Sequence, residues 1–75
     1  MDLSNGTFAS LDLSGFRLTR GALVGCDFTE ASLLDSDLRL TDLTDAELDS
    51  ASVAGCDLRG AKLVRVLVPP GARIS

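Results

Sequence analysis

The stretch that decides the fold is Cys26 to Gly60, which reads CDFTE-ASLLD-SDLRL-TDLTD-AELDS-ASVAG-CDLRG. Broken every five residues, it puts Phe28, Leu33, Leu38, Leu43, Leu48, Val53 and Leu58 at one position of each block. Extended both ways, the series also takes in Leu3, Phe8, Leu13, Leu18, Leu23, Leu63 and Val68. All 14 are Leu, Phe or Val, types that fill 22 of the 75 positions. Chance would give such a series at about 10⁻⁷, counted over five phases. A period of five fits no ordinary element. On a helix each step would advance about 140°, so the apolar residues would circle the axis. On a straight strand an odd period sends successive residues to opposite faces. The chain must turn once per block, so that each central residue points inward again. One block buries almost nothing alone; stacked coils bury them all.

Two residues before each centre stand Gly21, Cys26, Ala31, Ser36, Thr41, Ala46, Ala51, Cys56 and Ala61, all small. They read as a second inward column that lets the corners close. One residue before the centre the types are mostly polar: Asp2, Thr7, Asp12, Asp27, Ser32, Asp37, Asp42, Glu47, Ser52 and Asp57. Short Asp, Ser and Thr side chains bond local backbone at turns.

Cys26-Asp27-Phe28, Ser36-Asp37-Leu38, Thr41-Asp42-Leu43, Ala46-Glu47-Leu48 and Cys56-Asp57-Leu58 make the chain resemble the pentapeptide-repeat family, with consensus A-(D/N)-L-x-x. The resemblance runs from residue 1 to about 68. It implies an all-β fold: a right-handed quadrilateral parallel β-helix, four blocks to a coil, with just under four coils. Residues 1–68 are expected to form the solenoid and 69–75 a C-terminal tail. Leu11 and Phe16 are large where small residues are usual, and are expected to fill space left by Gly6 and Gly21.

With coils of that length, residues 20 apart stack, and the columns Phe8/Phe28/Leu48/Val68 and Leu18/Leu38/Leu58 form on opposite sides. Phe8 and Phe28 should stack as rings. Asp42 should lie under Lys62, and Asp45 under Arg65, as weak surface pairs. Cys26 and Cys56 fall one and a half coils apart, beyond disulfide reach; they read as buried corner thiols. Pro69-Pro70 should end the ladder, since proline cannot donate to it. Val64, Leu67 and Ile74 are then candidates to cap the open end or to join a second copy into a homodimer.

Composition excludes much chemistry. There is no His, Trp or Tyr, and there are only two Cys. That removes the usual zinc sets and the commonest general base. No nucleophile has an adjacent base, so enzymatic activity is not expected. The close acids Asp35, Asp37, Asp42 and Asp45 lack the calcium-loop spacing, and the Gly21–Gly25 and Gly55–Gly60 segments lack the phosphate-loop ending. No metal or cofactor is expected. The N-terminus has an acid at Asp2 and no apolar run, so neither a signal peptide nor a membrane span is read there. The cytoplasm is the expected compartment.

Charge points to the surface. Eleven acids against seven bases give −4, which argues against direct nucleic-acid binding. The side centred on Phe8, Phe28 and Leu48 presents Asp27, Glu30, Glu47 and Asp49 and no base. These four are the candidate partner-binding residues. Leu34 and Leu40 also point outward. The expected function is that of a non-enzymatic scaffold or protein-interaction module with an unspecified protein partner. The resemblance implies an alternative, because quinolone-resistance members of the family protect DNA gyrase as acidic mimics of DNA. A fragment or a designed minimal solenoid is the other alternative.

Overall fold

The computed structural model describes residues 1–74 of the chain. Nine parallel bridges join residues 20 apart, from Asp2–Ala22 through Asp27–Glu47 to Asp42–Lys62. One coil therefore takes twenty residues and has four sides of five. We name each side by a buried central residue: the Phe28 side, then the Leu33, Leu38 and Leu43 sides in chain order. The Phe28 and Leu38 sides face away from each other. The Cα extents are 25 × 23 × 21 Å, so the stack is about as tall as it is wide.

Each corner is one β-turn. The amide three residues past a centre donates to the centre's carbonyl, as in Gly6 N to Leu3 O at 3.0 Å and Ala31 N to Phe28 O at 2.9 Å. The residue before that donor has positive φ at every corner from Asn5 to Arg65, the placement of a type II turn. Glycines 15, 25, 55 and 60 meet this demand freely, but Arg20, Glu30, Leu40 and Arg65 meet it with side chains, at φ between 57 and 64. Between corners, amides reach the next coil, as in Leu3 N to Ala22 O at 2.8 Å and Ala22 N to Met1 O at 2.9 Å. The amide just after the centre points outward and meets the Asp before the centre instead. Ser4, Ser14, Thr29, Arg39, Thr44 and Arg59 all donate in this way to Asp2, Asp12, Asp27, Asp37, Asp42 and Asp57 at 2.9–3.1 Å. The polar column thus supplies the bonds that the ladder cannot.

The core is the two inward columns. Leu23, Phe28, Leu33, Leu38, Leu43 and Leu58 are all but fully buried. Phe8 and Phe28 stack with centroids 5.4 Å apart. The two cysteines are buried free thiols. Ser36 and Thr41, buried in the small column, donate their hydroxyls to Leu33 O and Leu38 O at 2.8 Å. The narrow interior keeps no side-chain polar atom unpaired among the described residues.

Two expectations fail at the ends. Leu11 and Phe16 are not fillers; they stand about half exposed on the N-terminal coil. Phe8's own ring takes the space at Gly6, where a Cβ would come within 2.6 Å of it. The Met1 methyl lies against Gly21, 3.1 Å from such a Cβ. Leu11 and Phe16 stack in columns with Ala31 and Ser36, not with these glycines, and no coil lies below them. Phe16→Ala is therefore expected to cost about 1–2 kcal/mol, well short of the roughly 3–5 of a buried ring. A urea titration reads the difference.

The second difference is at the prolines. The ladder lapses after Val64 and resumes at Arg73, which bridges Asp57 at a spacing of 16 instead of 20. Arg73 N donates to Cys56 O, and Leu58 N to Arg73 O, both at 2.7 Å. Pro69-Pro70-Gly71 thus cuts across the end and returns the chain to the Leu38 side. Gly71, at φ +107, makes the return, and its carbonyl accepts from Gly55 N at 3.2 Å. Val66, Val68 and Ala72 pack against the core, whereas Leu67 is 87% exposed and Val64 and Ile74 are also exposed.

Candidate functional site

Folding sorts the charges by side. The Phe28 side carries Asp27, Glu30, Glu47 and Asp49 and no base. The Leu38 side carries five bases (Arg17, Arg20, Arg39, Arg59 and Arg73) against Asp37 and Asp57, a net of +3. The solenoid is therefore electrically polar across its width, a property that the overall −4 conceals.

The four acids are not equivalent. Asp27 is half-buried and committed to Thr29, whose amide and hydroxyl donate to its Oδ1 at 2.9 and 2.6 Å. Those bonds hold its carboxyl below the usual carboxylate range. Glu47 occupies the same column and bridges Asp27, but its longer side chain makes no such turn bond. Glu30, Glu47 and Asp49 are exposed and have no side-chain hydrogen bond or ion pair among the described residues. Three carboxylates are thus free for a partner, and the fourth holds the turn. The sequence marks this difference only by Asp against Glu before the centre.

On the Leu38 side Arg39 and Arg59 each pair with the Asp two residues earlier in their own coil, and Arg39 Nε also lies 3.9 Å from Asp57 Oδ2 of the next. Arg39 Nη2 sits 2.8 Å from Asp37 Oδ2, and Arg59 Nη2 2.7 Å from Asp57 Oδ2. The guanidiniums hold both carboxyls well below the ordinary range. The Asp45–Arg65 pair forms as expected, with Nη2 2.9 Å from Oδ2. Asp42 stacks with Lys62 without pairing; its Oδ1 is taken by the Thr44 hydroxyl at 2.6 Å.

These shifts fix the pH dependence of stability. Asp2, Asp12, Asp27, Asp37, Asp42, Asp45 and Asp57 are all lowered, chiefly by hydrogen bonds. Their contribution is present above the unfolded value of about 4 and is lost as pH falls through the lower folded values. Burial pushes both cysteine thiols up. The unfolded thiols ionise first, so stability falls again above about pH 8.5. A plateau from about pH 5 to 8 is expected in the urea midpoint.

The repeats, the twenty-residue coil and the paired inward columns meet their match among known proteins. The profile described as pentapeptide repeats matches eight copies, over residues 8–45 and 22–60. The chain belongs to the pentapeptide-repeat family. No curated protein sequence matches it significantly. Among solved structures it is similar to a pentapeptide-repeat protein of the Arabidopsis thaliana thylakoid lumen, at 28% identity and TM-score 0.92 over 99% of this chain and 54% of that one. It is similar in fold to QnrB1, a plasmid-mediated fluoroquinolone resistance protein, at 22% identity and TM-score 0.83 over 99% and 38%. HetL, a pentapeptide-repeat protein involved in heterocyst differentiation regulation from the cyanobacterium Nostoc, gives 22% and TM-score 0.60 over 99% and 43%. The chain thus spans about half or less of the length of these relatives. Pentapeptide-repeat neighbours are right-handed β-helices, and this chain shares that fold. It is a repeat scaffold, and the family generally works as structural or interaction modules.

Proposed function

We propose that this pentapeptide-repeat solenoid is a non-enzymatic docking module, and that its Phe28 side receives a basic protein partner. The observation that carries the reading is the set of exposed carboxylates of Glu30, Glu47 and Asp49 on a rigid side without a base. The ladder already fixes the backbone, so little ordering entropy is lost on binding. The test is affinity capture from the source cell with the intact protein and with a Glu30→Gln/Glu47→Gln/Asp49→Asn variant. Asp27 is left in place because it holds a turn. A partner kept by the intact protein and lost by the variant is expected; equal retention by both would remove this side from consideration.

A second reading is DNA mimicry on a topoisomerase, supported by the base-free acidic side and by the fold shared with QnrB1. Magnitude weighs against it. DNA carries a charge every 1.7 Å or so, and this side sets four acids on a molecule with a longest Cα extent of 25 Å. An unchanged gyrase supercoiling assay at high micromolar protein would discard it.

A further inference from the structure

The side opposite the acidic one bears an open groove of about 450 Å³, lined by Thr19, Arg20, Arg39, Leu40, Arg59 and Gly60. It follows the stack from coil to coil, because Thr19, Arg39 and Arg59 share one column and Arg20, Leu40 and Gly60 the next. Its floor is apolar. Leu40 is half exposed, and its Cδ2 would lie 2.6 Å from a Cβ on Gly60, so the missing side chain at Gly60 makes room for it. Its rim is cationic. Arg39 and Arg59 are held by their aspartates, and their side chains remain 48% and 43% exposed. Arg20 has no ion pair among the described residues.

We propose that this groove binds an acidic peptide segment of a partner protein, in which an apolar side chain sits between carboxylates. Charge complementarity supports it, since the Leu38 side is +3 on a protein that is −4 overall. The apolar floor asks for a non-polar group between the charges. The open, shallow shape suits an extended segment; a small ligand would be mostly enclosed. Polynucleotide is disfavoured, because the other three sides are net acidic and repel a long polyanion. This site is independent of the acidic Phe28 side, and the two together make a module that bridges partners of opposite charge.

The test uses the full chain and a fluorescein-labelled peptide with one leucine flanked by two glutamates on each side, read by anisotropy at low salt. Arg20→Glu is the deciding variant: it breaks no ion pair, and Glu30 shows that glutamate takes the same corner at φ 60. We expect binding that weakens at least about tenfold in Arg20→Glu and in 0.5 M salt, as rim charges do when screened or reversed. Leu40→Ser should weaken it several-fold, and Ser50→Glu, at an exposed corner of the opposite side with φ 59, should not. Four results would each overturn the proposal: no binding at millimolar protein, equal binding by Arg20→Glu, tighter binding of a thymidine decamer, or sedimentation showing that the groove is covered by a second copy.

Discussion

Phe28→Ala is expected to cost about 3–5 kcal/mol, and so to remove much of the stability of the fold. A chain of 75 residues has roughly 4–11 kcal/mol in total, at about 0.05–0.15 per residue. Phe28 is fully buried and stacked on Phe8, an arrangement that adds about 0.5–1.5 kcal/mol to the area it buries. The site has little freedom to collapse after truncation. Phe8 N donates to Asp27 O at 2.7 Å and Phe28 N to Glu47 O at 2.8 Å, so the ladder pins this side from both directions. A cavity is left, and the cavity term is paid in full. The urea midpoint should fall by roughly 3 M or more, for a slope near 1 kcal/mol/M. Phe28→Leu should cost less than about 1.5 kcal/mol, since Leu48 already fills the next place in the column. A drop under about 0.5 M in Phe28→Ala would mean that the column is far looser than the structure shows.

Phe16 marks where the same reasoning stops. Period five identifies every interior centre because stacking repeats the same environment, and Leu23 to Leu58 obey it. It says nothing about the first and last coils, where a residue has a neighbour on one side only. Phe16 and Leu11 are exposed for that reason, although their columns hold buried Ser36 and Ala31 further up. The corner conformation left a trace that was legible. Gly15, Gly25, Gly55, Gly60, Asn5, Asp35 and Asp45 all fall on multiples of five, and these types tolerate positive φ best. Leu40 hides the rule, because the ladder on either side forces a shape that its own preference opposes. The return of Arg73 was not legible. It depends on Pro69-Pro70-Gly71 crossing an open end, which no repeat pattern encodes.

That return also decides the electrostatics. Columns assigned from the sequence give the Leu38 side Arg17, Arg20, Arg39 and Arg59 against two acids. The crossing adds Arg73 by bridging Asp57. The acidic side needed no such help, since its members lie within the regular repeats. What the sequence leaves out there is which carboxylates are free. Asp27 and Glu47 look alike in a charge count, yet one closes a turn with Thr29 and the other does not.

Deleting Leu34 tests the period itself, and it is expected to be at least as damaging as Phe28→Ala. The chain has two ways to absorb the loss. It can keep every downstream centre inward by making one corner with a residue too few. That removes Ser36 N to Leu33 O, Asp35 N to Ala54 O and Gly15 N to Leu34 O, at about 1 kcal/mol each before any strain. Or it can slip by one, which turns Arg39, Asp49 and Arg59 into the core in place of Leu38, Leu48 and Leu58. Burying those charges costs far more than the corner. Only at the end of the stack does a shortened path occur, at 66–72, where no further coil lies above it. Removing residues 31–35 is a milder change, because every inward column survives and only the sides rotate by one place. Duplicating residues 31–50 after Ser50 keeps the sides as well and adds four buried centres, so it should raise the midpoint. The expected order in a thermal melt followed by circular dichroism is the duplication, the native chain, the five-residue deletion and then the deletion of Leu34. A Leu34 deletion as stable as the five-residue deletion would show that the corners, and not the inward columns, tolerate change, and the period would lose its place as the determinant of the fold.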